Sequence, residues 1–305
     1  MNRLAQTAQG CDLPLENPRH SAGGFRDIRA YAKINLFLDV LAKREDSYHD
    51  IFSVMQTVSL CDDIHIKRVA PCEGEQIRLT CNDPTLPTDK QNLVVRAANA
   101  LVRTSGIRDG IDINLTKRIP AGAGLAGGSS DCAATLSGIN ELFDLKIPHE
   151  QLMKIAKSLG ADVPFCLTGG TAITEGIGEK ITPLEPHPPA YIVVASPGIH
   201  VSTPETFARL NAANFNNVPA KEKFLSAYSK KNISQIAKSL YNVFSSTIAH
   251  PEIFDLIARF EALGAEGAQM SGTGSSVFAY FCEKSTAEKA ISRLQCKAFL
   301  CTPVN

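Results

Sequence analysis

Apolar and polar residues alternate along the first regular stretch of the chain, which begins at Ala30 and runs to Val40. A period of two is typical of a β-strand, and it places Lys33 and Asn35 on the same face. The fold is therefore expected to open with a strand that carries both side chains on one side.

Two further apolar stretches, 52–60 and 64–67, also predict strands. The polar residues Asp62 and Asp63 interrupt the apolar pattern between them, together with Cys61. Short polar interruptions of this kind are typical of turns, so we expect a turn over 61–63.

Helical spacing of apolar residues follows at 92–102, and Gly106 lies beyond the end of that predicted helix. Alternation returns at 111–116 and predicts another strand. Pro120 then opens a glycine-rich turn, after which a helix is predicted over 130–143. The local order is therefore strand, glycine loop, helix.

A proline-rich segment, 184–190, is the best candidate for a linker, because proline resists both helix and central strand. The predicted organisation is a loose extension over 1–29, a first domain over 30–186 and a second domain over 190–305, whose first strand starts at Tyr191. Smaller elements are predicted as helices at 151–159 and 253–263 and as strands at 171–174, 191–195 and 277–281.

Composition narrows the functional class. Of the 305 residues, 44% are apolar and 20% are charged, values typical of globular proteins. Lys plus Arg is 31 and Asp plus Glu is 31, so no net charge draws the molecule to nucleic acid. The 9 cysteines include no C-x-x-C pair, which disfavours a disulfide framework and a structural zinc site.

No apolar stretch predicts a membrane span or a signal peptide, so a cytoplasmic protein is expected. The sequence leaves its oligomeric state open.

Four glycines fall between Gly122 and Gly128, where backbone amides could approach an anion without obstruction. The predicted helix follows at once, and its unpaired amides and dipole favour phosphate. Ser129 and Ser130 add hydroxyls that could meet phosphate or magnesium. This arrangement favours binding of a nucleoside triphosphate over a turn with a purely structural role.

Familiar motifs do not fit this loop. G-x-G-x-x-G matches at Gly122, but the preceding strand is half polar and no acidic residue follows at the spacing of a dinucleotide site. A Walker A loop would need lysine where Gly128 stands. No G-x-S-x-G elbow of a serine hydrolase is present. A second glycine cluster, 271–276, leads into a strand and by itself favours a flexible connector.

Three segments, 30–38, 120–130 and 270–277, together resemble the galactokinase, homoserine kinase, mevalonate kinase and phosphomevalonate kinase (GHMP) superfamily. The resemblance implies an α+β (mixed α/β) fold of two domains, an N-terminal ribosomal-S5-like domain and a C-terminal ferredoxin-like domain. It also implies a small-molecule kinase that uses ATP with Mg²⁺, whose ligands it does not indicate. The ATP-binding residues that it implies are Asn92, Pro120, Ala121, Gly122, Ala123, Gly124, Leu125, Ala126, Gly127, Gly128, Ser129 and Ser130.

The segments 32–38, 47–49, 92–94 and 160–164 resemble one branch of that superfamily in particular. This closer resemblance implies phosphorylation of the 2-hydroxyl of 4-diphosphocytidyl-2-C-methyl-D-erythritol, giving the 2-phosphate and ADP, in the non-mevalonate (MEP) isoprenoid pathway. Two alternatives stay open. One is a sister kinase that acts on mevalonate, homoserine or a sugar, and the other is a ligand sensor that kept the fold and lost catalysis.

The resemblance makes Lys33 and Asp162 the catalytic candidates. Asp162 would act as a base or orient the acceptor hydroxyl, and Lys33 would steady both Asp162 and the phosphate. On sequence alone, a lysine on an edge strand and a carboxylate that caps a helix are the more common interpretations.

Four residues are the substrate-binding candidates. Asn35 could hold hydroxyls or the diphosphate of the acceptor, Tyr48 and His49 could hold cytosine, and Phe207 could form a second wall for that base.

Three positions depart from the pattern of the superfamily. Ala123 and Ala126 stand where glycine is common, and both alanines are expected to fit if their φ angles stay negative. Asp131 places a carboxylate close to the expected phosphates, where it must point away or meet a metal ion.

Overall fold

The computed structural model describes residues 24–71 and 74–305. Of the predicted loose extension, residues 1–23 therefore lie outside the described residues. Strand β1 spans Phe25–Lys43 and begins before the predicted start at Ala30, so 25–29 belong to the sheet.

Strand β2, His49–Val69, pairs with β1 in antiparallel register along nearly its whole length. The predicted turn over 61–63 is wrong, because β2 continues through it. Asp62 is fully buried there, and its carboxylate accepts hydrogen bonds from the backbone N–H groups of Arg118 and Ile119. An aspartate whose carboxylate is hydrogen-bonded can be buried within a continuous strand. The sequence alone shows only a polar residue at this position, which is typical of a turn.

The first sheet places β1 and β2 at its centre. Its other strands are β3 Ile77–Cys81, β4 Gly110–Thr116, β5 Thr171–Gly176, β6 Lys180–Pro183 and β8 Tyr241–Asn242. In spatial order the strands run β3, β4, β2, β1 and β8, and β5 pairs with both β2 and β6.

Helices of the first domain pack together against the sheet around a shared apolar core. The predicted helix at 92–102 is confirmed: Asn92 accepts a hydrogen bond from the Val94 N–H at its start, and Gly106 ends it with φ 65°. The bounds are α1 Leu93–Ser105, α2 Gly127–Leu142, α3 His149–Leu159 and α4 Val163–Thr168. The last of these helices has no counterpart in the sequence prediction.

The second sheet begins with strand β7, Tyr191–Ser196, which starts at the predicted residue. Its other strands are β9 Gly267–Met270, β10 Val277–Phe281 and β11 Lys297–Cys301, and the spatial order is β11, β7, β10 and β9. The helices after β7 are α5 Thr203–Ala208, α6 Val218–Ser229, α7 Ile233–Ala237, α8 Pro251–Ala262 and α9 Lys284–Ser292, with short 3₁₀ turns at Ala212–Asn214 and Val243–Thr247.

The two sheets share one apolar core. Leu36 of the first sheet lies in the same buried cluster as Val194 and Tyr280 of the second. The chain end also returns to the first sheet, where the Val304 N–H donates to the Thr57 carbonyl at 2.9 Å. This packing fixes the walls of the cleft between them. Among the described residues, no helix combines the length and apolarity needed to cross a bilayer.

Candidate active site

A single cleft of about 810 Å³ gathers most of the residues singled out in the sequence. It opens between the central strands of the first sheet and loops of the second domain. Its walls come from β1 and β2, the segment 86–93, the glycine loop (residues 120–126), the first turn of α2, and the loops at 200–204 and 272–274.

Lys33 and Asp162 meet inside this cleft. Lys33 is 4% exposed, and its Nζ lies 3.8 Å from Asp162 Oδ2 and donates to Asn35 Oδ1 at 2.6 Å. β8 pairs with β1 only at Phe37 and Leu38, and at Lys33 the backbone N–H donates instead to the Leu125 carbonyl, so this buried lysine does not guard an exposed sheet edge. A buried ammonium needs such partners, since desolvation without them is costly.

The Asp162 carboxylate does not cap the helix that follows it. Asp162 occupies the N-cap position of α4, but its side chain makes no capping hydrogen bond, so the capping role that its sequence context suggested is wrong. Pro164, the second residue of the helix, restricts the backbone just after Asp162. The side chain is one-third exposed, which leaves an oxygen available to a ligand in the cleft.

The glycine loop is held from both domains. The Lys33 N–H donates to the Leu125 carbonyl at 3.1 Å, and the Ser276 N–H donates to the Ala123 carbonyl at 3.1 Å. Gly124 carries φ 79°, and a Cβ there would come within 2.1 Å of the Ser271 carbonyl oxygen, so only glycine fits. The second glycine cluster is therefore not a flexible connector: it forms the far side of this loop and lines the cleft with 272–274.

The first turn of α2 offers backbone amides to the cleft. Ala126 holds the N-cap position with φ 56°, contrary to the expected negative φ, and it supplies no side-chain cap. The first amides of a helix lack intrahelical partners and bind anions readily. The Ser130 hydroxyl donates to the Tyr31 carbonyl at 2.6 Å and is not part of the cleft wall, and Leu125 is buried outside it. Every other predicted loop residue and Asn92 line the cleft.

A buried charge cluster lies below the first turn of α2. The Lys117 ammonium donates to Asp131 Oδ2 at 2.7 Å and also to the Asp62 carboxylate. Asp131 therefore meets the ammonium of a lysine, which the sequence analysis did not expect. Burial, reinforced by the charge of Asp62, raises the pKa of Asp131 to about 7, and Lys117 opposes that shift. The other oxygen of Asp131, Oδ1, has no hydrogen-bond partner among the described residues.

The predicted cytosine-binding residues are only partly brought together. The rings of His49 and Phe207 lie in contact, with centroids 4.9 Å apart, and Phe207 lines the cleft. Burial and the charge of Lys43 lower the pKa of the His49 imidazole, which favours the neutral ring. Tyr48 is 61% exposed and does not form part of the cleft wall. A spacing of 4.9 Å leaves no room for a base between His49 and Phe207, so a base would stack on the outer face of one of them.

Several residues of the cleft escaped the sequence analysis. Lys117 could have been found indirectly, because a carboxylate at Asp131 beside a phosphate site requires a nearby cation. No sequence pattern indicated Thr203 or Thr273, yet both residues line the cleft and their hydroxyls lie 3.0 Å apart. His200 approaches Gly122 from the second domain, which only the packing of the two domains could show.

Comparison with known proteins identifies the family. The chain matches the family described as "GHMP kinases N terminal domain" over residues 92–170 and the one described as "GHMP kinases C terminal" over 224–299. It is 42% identical over 273 residues to the 4-diphosphocytidyl-2-C-methyl-D-erythritol kinase of Caldicellulosiruptor bescii, a match that covers 88% of this chain and 93% of the relative. The chain belongs to the 4-diphosphocytidyl-2-C-methyl-D-erythritol kinase family.

Other comparisons agree with this family and with the predicted fold. The kinase of the same name from Lachnoclostridium phytofermentans is 44% identical over 86% of this chain and 90% of the relative. A crystal structure of a 4-(cytidine 5′-diphospho)-2C-methyl-D-erythritol kinase superposes with a TM-score of 0.80 at 32% identity, covering 92% of this chain and 99% of that one. A homoserine kinase from Cytophaga hutchinsonii, with a TM-score of 0.72 at 20% identity over 95% of this chain and 97% of its own, shares the fold.

The predicted two-domain GHMP kinase fold and the prediction of a small-molecule kinase are thereby confirmed. GHMP kinases use ATP as co-substrate, so the implied nucleotide agrees with the family.

Proposed function

We propose that this chain transfers the γ-phosphoryl group of ATP to the 2-hydroxyl of 4-diphosphocytidyl-2-C-methyl-D-erythritol, giving the 2-phosphate and ADP, as a step of the non-mevalonate isoprenoid pathway. The observation that carries the proposal is the 3.8 Å approach of Lys33 Nζ to Asp162 Oδ2 in the cleft that the glycine loop and the first turn of α2 also line.

Phosphoryl transfer asks a protein to align the acceptor with the phosphate and to neutralise charge on the transferred group. The triphosphate would lie on the glycine loop and on the first amides of α2. Asp162 would accept or orient the proton of the acceptor hydroxyl. Lys33 would stabilise the carboxylate and the negative charge on the transferred oxygens.

Mg²⁺ fits the donors at the first turn of α2. Ser129 lines the cleft there, and the Asp131 carboxylate borders the same wall with its unpartnered Oδ1. Mg²⁺ takes oxygen ligands and commonly uses one or two protein groups together with phosphates. Ser129 and Asp131 would hold the ion, which supplies charge neutralisation to the bound triphosphate.

The acceptor would enter from the side of Phe207. His49, kept neutral by burial, has ring nitrogens that could bond the edge of cytosine, and Tyr48 could fold over the base from its exposed loop. Asn35 lines the cleft next to Lys33 and would meet the acceptor close to its reacting hydroxyl.

Two further inferences concern surroundings and partners. Free thiols at Cys81, Cys132, Cys166, Cys282 and Cys296 support a reducing compartment, and we infer the cytoplasm. The balanced formal charge supports a small-molecule substrate without a nucleic-acid partner.

A substrate panel tests the proposal. Purified protein with ATP and Mg²⁺ is given 4-diphosphocytidyl-2-C-methyl-D-erythritol, mevalonate, homoserine or galactose, and ADP release is followed in a coupled assay. We expect turnover with the cytidylyl substrate, and a new phosphomonoester signal at its 2-position by ³¹P NMR. A higher kcat/KM with another acceptor would show a sister kinase, and binding without turnover would show a sensor.

A further inference from the structure

Ser53 lies outside the cleft but is linked to its catalytic lysine by a chain of hydrogen bonds. Ser53, on β2, is fully buried, and its hydroxyl donates to the Phe37 carbonyl at 2.7 Å. The same oxygen accepts from Asn35 Nδ2 at 2.9 Å, and Asn35 Oδ1 accepts from Lys33 Nζ at 2.6 Å. The chain thus runs from a backbone carbonyl through Ser53 and Asn35 to Lys33.

This chain of bonds has a fixed polarity. A hydroxyl has one proton, and that of Ser53 is directed to the Phe37 carbonyl, so only a lone pair faces Asn35. The Asn35 amide must therefore turn its NH₂ toward Ser53 and its oxygen toward Lys33. The reverse orientation would place an NH₂ group against an ammonium, leaving two donors face to face.

We propose that Ser53 is a positioning residue for phosphoryl transfer: its hydroxyl sets the orientation of the Asn35 amide and, through it, the location of the Lys33 ammonium beside Asp162. This inference rests on the proposed function, because it assigns Ser53 an effect on the reaction of Lys33 and Asp162. Ser53 itself touches no substrate.

Removing the hydroxyl leaves a buried donor without a partner. Asn35 is 1% exposed, so its NH₂ group cannot turn to water when Ser53 becomes alanine. The amide is then free to rotate, and Lys33 loses the oxygen that fixes it. Phosphoryl transfer depends on alignment, so loss of this contact should slow the chemical step more than it weakens binding.

The test compares Ser53→Ala with wild-type protein in the ATP assay. We expect kcat to fall about tenfold, the scale of one lost buried hydrogen bond, with KM for ATP and for the acceptor changed by less than about twofold. Ser53→Thr keeps the hydroxyl and should retain most of the wild-type kcat. A wild-type kcat in Ser53→Ala would overturn the inference.

Thr174 provides a matched control. It faces Ser53 across the β2–β5 pair, it is equally buried, and its hydroxyl has no hydrogen-bond partner among the described residues. Thr174→Val should therefore leave kcat unchanged. An equal loss in both variants would mean that any change to this part of the sheet slows the enzyme, which contradicts a specific role for Ser53.

A double-mutant cycle distinguishes an effect of Ser53 through Asn35 from a general effect on packing. If Ser53 acts only through Asn35, then Ser53→Ala in an Asn35→Ala background should cause no further loss of kcat. If the two substitutions lower kcat independently, so that their effects multiply in the double variant, Ser53 does not act through Asn35 and the inference is overturned.

Failure of the proposed function can be distinguished from failure of this inference, because the wild-type protein itself would then not phosphorylate the cytidylyl substrate. In that event the crystal structure of Ser53→Ala still decides the positioning claim. Loss of the contact between Lys33 Nζ and Asn35 Oδ1 would support it, and an unchanged contact would overturn it.

Discussion

The Lys33 ammonium and the Asp162 carboxylate lie 3.8 Å apart, although one comes from the central strand β1 and the other from the start of α4. Lys33 is almost fully buried, while Asp162 remains one-third exposed toward the cleft. The pair therefore has a fixed side, held by Asn35, and an accessible side. The carboxylate is accessible from the cleft, whereas the lysine is not.

Asp162→Asn should lower kcat by at least about a hundredfold, the scale of a positioned acid or base, because an amide cannot take the proton of the acceptor. The assay is steady-state ADP release, with circular dichroism to confirm that the fold is intact. Asp112→Asn is the control, since Asp112 pairs with Arg78 on an exposed part of the sheet and should leave kcat unchanged. Near wild-type turnover in Asp162→Asn would show that Asp162 is not the base or orienter.

Phe207→Leu should raise KM for the cytidylyl acceptor about tenfold and leave KM for ATP unchanged. Stacking of a base on an aromatic ring contributes about 1–3 kcal/mol, and leucine keeps the bulk while removing the ring. Phe215→Leu is the control, because Phe215 contacts His49 edge-on but does not line the cleft. Equal KM values for wild type and Phe207→Leu would remove Phe207 from the substrate site.

Lys117→Met should lower the free energy of unfolding by about 3–5 kcal/mol at pH 8, because it leaves two buried carboxylates without their shared cation. Urea unfolding at several concentrations measures this. Adding Asp131→Asn to that variant removes one of the two charges and should recover part of the loss. If Lys117→Met unfolds at the wild-type urea concentration, the cluster contributes little to stability.

Asp131 also predicts a pH dependence of stability. Its folded-state pKa is raised from 3.8 to about 7 by burial, so between these values the folded protein binds a proton that the unfolded chain has released. The stability that the protonated carboxyl contributes is complete below pH 3.8 and is lost as pH rises through about 7.

Asp131→Asn carries no such proton. Its stability relative to wild type should therefore increase as the pH rises from about 4 to 7, measured by urea unfolding at each pH. A difference between the two proteins that stays constant with pH would contradict the raised pKa.

Ala126→Gly should raise the free energy of unfolding by about 0.5–1 kcal/mol, because Ala126 adopts φ 56°, a left-handed conformation that costs an L-residue about 1 kcal/mol or more. Thermal unfolding of both proteins gives the difference. Ala123→Gly is the matched control, since Ala123 is not among the residues with positive φ and should lose stability on the same change. Destabilisation of both variants would mean that Ala126 carries no strain.

Much of the fold could be predicted because its signals are local. The period of two in β1, the Asn92 cap and the Gly106 end of α1, and the start of β7 at Tyr191 each follow from a few neighbouring residues. The turn predicted around Asp62 was wrong because it was also judged from neighbouring residues alone. The burial of Asp62 depends on backbone donors at Arg118 and Ile119, which are far away in sequence.

The sequence by itself determined the glycine loop, the helix that follows it and, through resemblance, the pairing of Lys33 with Asp162. Only the tertiary structure decided that Ser271–Ser276 closes over Gly124, that Lys117 lies between two carboxylates, and that Ser53 orients the amide next to Lys33. Backbone conformation responds to adjacent residues, whereas burial, hydrogen-bond partners and charge compensation depend on which distant segments the packed core brings together.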